Sequence, residues 1–391
     1  MADESRQNRN SRPAPRKLNL KNRCRRIRSR GGLRGVREFI SAGRFLNDLP
    51  KARLTVFDSA ITLPETFRKY FMPRQFSIVT IFALSLLAVL FTNNARAGWP
   101  AKIFAPYMYL GTGDNFKLTQ CDDECGQKFY TLAFVISDKS NNPAWYGHVP
   151  MQKNLYADQI AAIRARGGDV IVSFGGAAGK EIALVETNVE TLQAKYQSVI
   201  DRYKFTWLDF DIEGGALSKH PEASERRNAA LARLQAANPG LIISYTLPVD
   251  PNGISKASRK LLADAKAKGV KVFSANLMVM DYGPGFSKEK KMGDLAIACA
   301  LKARAQCAKI DPAVQIGLTP DIGQNDVKSE IFTLEDARIM RDWAVTQPWI
   351  CSLSFWSSNR DKPGNPKTDH GSGVPQKPWD FTKAFQPFIT R

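Results

Sequence analysis

The residues of this chain whose types and spacing suit joint chemistry are three carboxylates in Trp207-Leu208-Asp209-Phe210-Asp211-Ile212-Glu213-Gly214. Acids alternating with Leu, Phe and Ile have the period of a β-strand. Asp209, Asp211 and Glu213 therefore share one face, and Leu208, Phe210 and Ile212 the other. The apolar face has to pack against a hydrophobic layer, which turns the acids into the enclosed side. Like charges ~7 Å apart at successive positions on one face raise one another's pKa. The outermost carboxyl, Glu213, can then keep a proton for use as a general acid. Three carboxylates also suit a hard cation. No histidine or further acid is spaced to complete a shell, so neither metal nor cofactor is expected.

The strand must be embedded for this to hold, and the flanking sequence supplies the frame. From Gly98 onward, short β-branched or apolar runs alternate with helical patterns. The strands are expected at 102–110, 130–137, 169–176, 205–214, 241–248, 270–283, 314–323 and 350–360. The helices are expected at 157–166, 188–202, 221–237, 255–267, 292–307, 333–346 and 380–388. This rhythm implies parallel βαβ units, and eight of them match an α/β fold of the closed (β/α)8 TIM-barrel type in one domain, 98–391. The connections 111–129 and 361–379 are long and follow strands, on the side where barrels build their sites.

Four segments in chain order resemble the family 18 glycoside hydrolases, the chitinase family. Its fourth-strand signature D-G-x-D-x-D-x-E matches at Asp209, Asp211 and Glu213, with Thr206 and Trp207 replacing the first Asp and Gly. Ser173-Phe174-Gly175-Gly176 is similar to the S-x-G-G motif, and Met278-Val279-Met280-Asp281-Tyr282 to the M-x-x-D-Y motif. Ser354-Phe355-Trp356-Ser357, with Asn359-Arg360-Asp361, is similar to the closing Trp segment.

The resemblance implies a retaining, substrate-assisted hydrolysis of β-1,4-linked N-acetylglucosamine polymers. Glu213 is the implied general acid and base, and Asp211 orients the acetamido N–H with Asp209 sharing the charge beneath it. Tyr282 donates its hydroxyl to the acetamido carbonyl, and Trp356 floors the reacting sugar. Met280 and Asp281 border the site, as does Gly176 through close backbone approach. Trp145, with Tyr146, is a candidate stacking platform for a neighbouring sugar. For Tyr282 and Trp356 the alternative is a place in the core, where large aromatics usually lie. The short stretch 321–333 implies a catalytic domain without a sizeable α+β insertion, hence an open groove. Alternatives that keep the fold are an endo-β-N-acetylglucosaminidase and a non-catalytic chitin-binding lectin.

Charge marks off the remainder of the chain. The 391 residues carry a formal net charge of +19. Residues 1–97 hold 20 basic and 6 acidic side chains, a surplus of +14, which leaves +5 for 98–391. With 43% hydrophobic and 24% charged residues, the chain is neither fibrous nor a multi-span membrane protein. Residues 1–71 are expected to be a disordered basic prefix. The uncharged run Phe76–Phe91, followed by Ala95-Arg96-Ala97, makes 72–97 an expected secretory signal, with a membrane signal anchor as the alternative. Secretion, action as a monomer and no nucleic-acid partner for 98–391 are the matching expectations. An Arg-rich prefix that binds nucleic acid is the reading from another class. Cys121 and Cys125, read as part of a polar loop, are placed to close a small disulfide loop. Cys299 and Cys307 are expected as buried apolar groups, or one of them paired with Cys351.

Overall fold

The computed structural model describes residues 98–112, 116–288, 290–368 and 370–389. The readings for residues 1–97 lie outside them. Eight parallel strands close a barrel: β1 (Ile103–Phe104, continued by Tyr107–Tyr109), β2 (Phe129–Ser137), β3 (Asp169–Gly175), β4 (Trp207–Asp211), β5 (Ile242–Asp250), β6 (Val272–Met278), β7 (Gln315–Thr319) and β8 (Ile350–Leu353). The first segment of β1 pairs with β8 and the second with β2, so the ring is complete. Pro106 cannot donate a ladder hydrogen bond. Its carbonyl nevertheless accepts from Thr131 N, and Ala105 N donates to the Leu353 carbonyl, each at 3.0 Å.

Around the barrel lie α1 (Leu118–Cys125), α2 (Ala157–Ala165), α3 (Val189–Tyr203), α4 (Pro221–Ala237), α5 (Lys256–Ala267), α6 (Met292–Ile310), α7 (Leu334–Thr346) and α8 (Asp380–Phe385). Local chemistry sets several of their starts. Asn188 caps α3, Ser255 caps α5, Pro221 opens α4, and Thr333 with Asp336 forms a capping box on α7. Asp361 accepts from Phe381 N at 3.0 Å and Thr382 N at 2.7 Å, so it anchors the first turn of α8. None of the helices among the described residues is long and apolar enough to cross a membrane.

The barrel interior is layered. Trp99, Ile103, Ala105, Phe129, Ile171, Trp207 and Ile242 form a buried cluster separate from the main core, where the strands begin. Trp207 is its centre, 5.2 Å from the rings of both Trp99 and Phe273. The tryptophan that replaces the signature glycine thus plugs the barrel floor. Above it lies a belt of buried polar side chains, Thr131, Ser173, Asp209, Ser244, Ser274, Asn276 and Ser354. Asp211 and Glu213 stand at the mouth.

Two expectations change. Leu118–Cys125 is a helix rather than a polar loop; only Leu118 and Cys121 are buried in it, and Gly126 at φ 75° ends it. The sixth strand stops at Met278 instead of running to 283, and Asp281, three residues on, takes a left-handed φ of 50°.

Candidate active site

Strand register assembles the site. Asp209 lies opposite Ser173 of β3 and Ser244 of β5, forming one rung across three strands. The next rung sets Gly175, Asp211, Thr246 and Asn276 side by side. At Gly175 a Cβ would fall 2.2 Å from the Asp211 carbonyl oxygen, so only glycine lets β3 approach β4 this closely.

Asp209 sits in a cage of hydroxyls. Its Oδ2 accepts from Tyr107 Oη at 2.9 Å and Ser173 Oγ at 2.8 Å. Its Oδ1 accepts from Ser244 Oγ at 2.6 Å, and Thr246 Oγ1 lies 3.0 Å from both oxygens. The second partner of each hydroxyl constrains where its proton points. Ser244 Oγ accepts from Trp207 Nε1 at 3.0 Å, so its single proton is left for the carboxylate, while Thr246 Oγ1, which accepts from Asn276 Nδ2 at 3.0 Å, also lies 2.8 Å from Tyr107 Oη and shares its proton between that oxygen and the carboxylate. Burial raises the Asp209 pKa, and these donors offset only part of the rise.

Asp211 has no such support. Its Oδ1 is buried without a hydrogen-bond partner. Burial, then the charges of Glu213 and Asp209, push its pKa well up. Glu213, half-buried at the rim, is raised by burial first and by the nearby Asp281 second. Asp211 and Glu213, the two carboxyl groups that line the cleft, are thus both held above the ordinary carboxylate range.

That cleft encloses about 500 Å³, and Asp211, Glu213, Met280, Asp281 and Trp356 line it. Its floor is the Trp356 ring, stacked on Phe134 at 5.7 Å and flanked by Tyr109 at 5.6 Å. Gly176 stands behind this floor. A Cβ there would sit 2.7 Å from the Phe134 ring. The glycine makes room for the ring that supports Trp356 and is not itself among the residues that line the cleft.

Two expected site residues are placed elsewhere. Tyr282 is absent from the cleft lining; its buried hydroxyl lies against the Cys299 thiol of α6. The left-handed Asp281 breaks the strand alternation that would have pointed it inward. Trp145 is fully buried, with Nε1 donating to Tyr203 Oη at 3.0 Å, because residues 143–145 pair antiparallel with the end of β2. It is a core residue, not a sugar platform.

Sequence reasoning also missed residues. Tyr107, Ser244, Thr246 and Asn276 complete the interior network, and Asp321 with Arg360 forms a buried ion pair in the cleft wall. Arg360 Nη2 also donates to the Gln324 carbonyl at 2.6 Å, and burial pushes Asp321 up to about 8 against the pull of the guanidinium. The available signal was period-two polarity within apolar strands: Ser244 and Thr246, Ser274 and Asn276, Ser352 and Ser354. Among the described residues, no group of three or more His, Cys, Asp or Glu is arranged to hold a metal ion.

No protein-family model matches the chain. It is 32% identical over 319 residues to the protein named "Probable bifunctional chitinase/lysozyme" of Escherichia coli strain K12, covering 76% of this chain and 35% of that protein. It is 33% identical over 292 residues to "Endochitinase 11" of Metarhizium anisopliae, covering 69% and 55%. The chain thus spans about a third and about half of the length of these curated relatives. Among solved structures, catalytic-site mutants of active domain 2 of the thermostable chitinase from Pyrococcus furiosus, complexed with chito-oligosaccharides, superpose with a TM-score of 0.67. The identity is 35%, over 75% of this chain and 96% of that one. With a nearly complete catalytic domain matched at this identity on the same barrel, the chain belongs to glycoside hydrolase family 18, the chitinase family.

Proposed function

We propose that the protein hydrolyses β-1,4 bonds between N-acetylglucosamine units of chitin oligosaccharides, with retention of configuration. The observation that carries this reading is the unpartnered Oδ1 of Asp211, buried beneath Glu213 in a cleft floored by Trp356. A buried acceptor without a donor costs about 1–3 kcal/mol, and an acetamido N–H held above Trp356 supplies that donor. The named relatives and the oligosaccharide-bound Pyrococcus domain point to the same substrate class.

In the first step the protonated Glu213 gives its proton to the glycosidic oxygen as the bond from that oxygen to the anomeric carbon breaks. The substrate's own acetamido carbonyl oxygen bonds to the anomeric carbon, forming an oxazolinium ion. Asp211 accepts the acetamido N–H, whose acidity grows with the charge, and Asp209 stays fixed by its hydroxyls as the counter-charge below. In the second step Glu213, now a carboxylate, takes a proton from water. The water oxygen bonds to the anomeric carbon, the oxazolinium bond opens, and the β-configuration returns. Tyr282 has no part in this scheme.

The connection from β7 to α7 carries only the two-residue strands Gly323–Gln324 and Ile331–Phe332. This suits an open groove that admits an oligosaccharide chain. Export through residues 72–97 is part of the proposal, and N-terminal sequencing of the secreted chain checks it, with Gly98 expected first. Proton NMR during early hydrolysis of a chito-oligosaccharide tests the reaction. The β-anomer is expected before mutarotation; the α-anomer first would overturn retention. Release of glycans from a glycoprotein without cleavage of chito-oligosaccharides would favour the endo-β-N-acetylglucosaminidase reading.

A further inference from the structure

No disulfide joins the described cysteines, yet two of them meet. Cys121 and Cys125 lie four residues apart on α1 with their sulfurs 2.9 Å apart. Four residues of helix rise ~6 Å, inside the ~4.4–6.8 Å Cα separation that a disulfide spans. The sulfurs therefore need to close by only ~0.9 Å to bond. Cys125 is the last residue of α1, and Gly126 follows it at φ 75°, its N–H closing the final helical hydrogen bond to the Asp122 carbonyl at 2.8 Å. The helix end is held from outside: Gln386 Nε2 donates to the Cys125 carbonyl at 2.5 Å, and Trp379 Nε1 donates to Glu124.

The two thiols are unequal. Cys121 is 1% exposed, whereas Cys125 is half-buried. The hydrogen bond between the sulfurs pushes the Cys125 thiol down and the Cys121 thiol up. Neither residue lines the carboxylate cleft.

We propose that Cys121 and Cys125 form a thiol–disulfide exchange site that a low-molecular-weight disulfide oxidises to an intrahelical disulfide. The half-exposed Cys125 thiolate attacks one sulfur of the external disulfide, forming a mixed disulfide and releasing one thiolate. Cys121 then loses its proton and attacks the Cys125 sulfur, closing the internal bond and releasing the second thiolate. Two cysteine thiols are oxidised, and one external disulfide is reduced to two thiols. The bond staples the end of α1 at the point where residues 379 and 386 tie the first βα unit to the last.

The test uses the full chain, incubated natively with oxidised glutathione, quenched in acid, alkylated and digested with trypsin. The peptide Leu118–Lys128 holds both cysteines. It is expected unalkylated and about 2 Da lighter than the reduced peptide, the two hydrogens lost on oxidation. In the Cys121→Ser variant the same peptide should carry one glutathione on Cys125. A wild-type peptide with two alkyl groups, or with glutathione retained on Cys125, overturns the proposal. The wild-type measurement decides even if the variant fails to fold.

Discussion

Two carboxyl groups carry the proposed acid and orienting roles of the site. Glu213 owes its raised pKa to burial first and to Asp281 second. In the proposed mechanism the first step needs Glu213 protonated, so activity should fall as pH rises through its folded-state pKa. Asp281→Asn removes a negative neighbour and lowers that pKa, so the alkaline limb of kcat against pH should move to lower pH. A limb that stays in place or moves up would contradict this. Asp211 carries the opposite lesson for stability. Its folded pKa lies above its unfolded value, so the folded state binds the proton more tightly and stability falls as pH rises through the window between the two. Asp211→Asn removes that penalty. It should raise the thermal midpoint at pH 7 and raise it less at pH 4, as calorimetry at the two pH values would show.

At the scale of elements, the fourth strand was legible because its outward face is unbroken Leu208, Phe210 and Ile212, and an apolar face in a closed barrel has one direction to go. The rest of the site depends on contacts that local pattern does not carry. Helix α1 was unreadable because it buries only Leu118 and Cys121. Trp145 follows β2 in sequence, but an antiparallel return turns its ring into the core. Tyr282 would face the cleft if β6 continued, and one positive φ at Asp281 sends it toward α6. The serine and threonine at 244 and 246 were readable as polar breaks in an apolar strand; what they hold depends on register. Ser244→Ala strips a partner from both Trp207 Nε1 and Asp209 Oδ1, each buried. The expected loss is about 1–3 kcal/mol in denaturant unfolding, together with a changed pH profile, whereas Ser244→Thr should recover much of both. Gly176 has φ 86° and the Phe134 ring against it. Gly176→Ala should cost about 1–3 kcal/mol through left-handed strain and lower kcat/KM by displacing the support of Trp356. Unchanged kinetics would show that the floor does not rest on this contact.

The molecule as a whole separates its charge from its chemistry. Most of the +19 lies in residues 1–97, while the proposed reacting centre is a short column of acids inside a nearly balanced barrel. A neutral oligosaccharide meeting that centre should be cleaved at a rate that varies less than about twofold between ~50 and ~300 mM salt, since no long-range attraction steers it. Retention of the full chain on a polyanion should fall steeply over the same range. An aromatic plug, a belt of hydroxyls and a buried aspartate lie beneath the carboxyl at the mouth, which the proposed mechanism makes the proton donor. A lectin on the same barrel would bind without that proton. The direct measurement is turnover of a chito-oligosaccharide by Glu213→Gln, alongside its binding by calorimetry. In this variant kcat should fall by about 10²- to 10⁴-fold while the dissociation constant stays within a few-fold of wild type. Turnover near the wild-type rate would contradict the proposed mechanism.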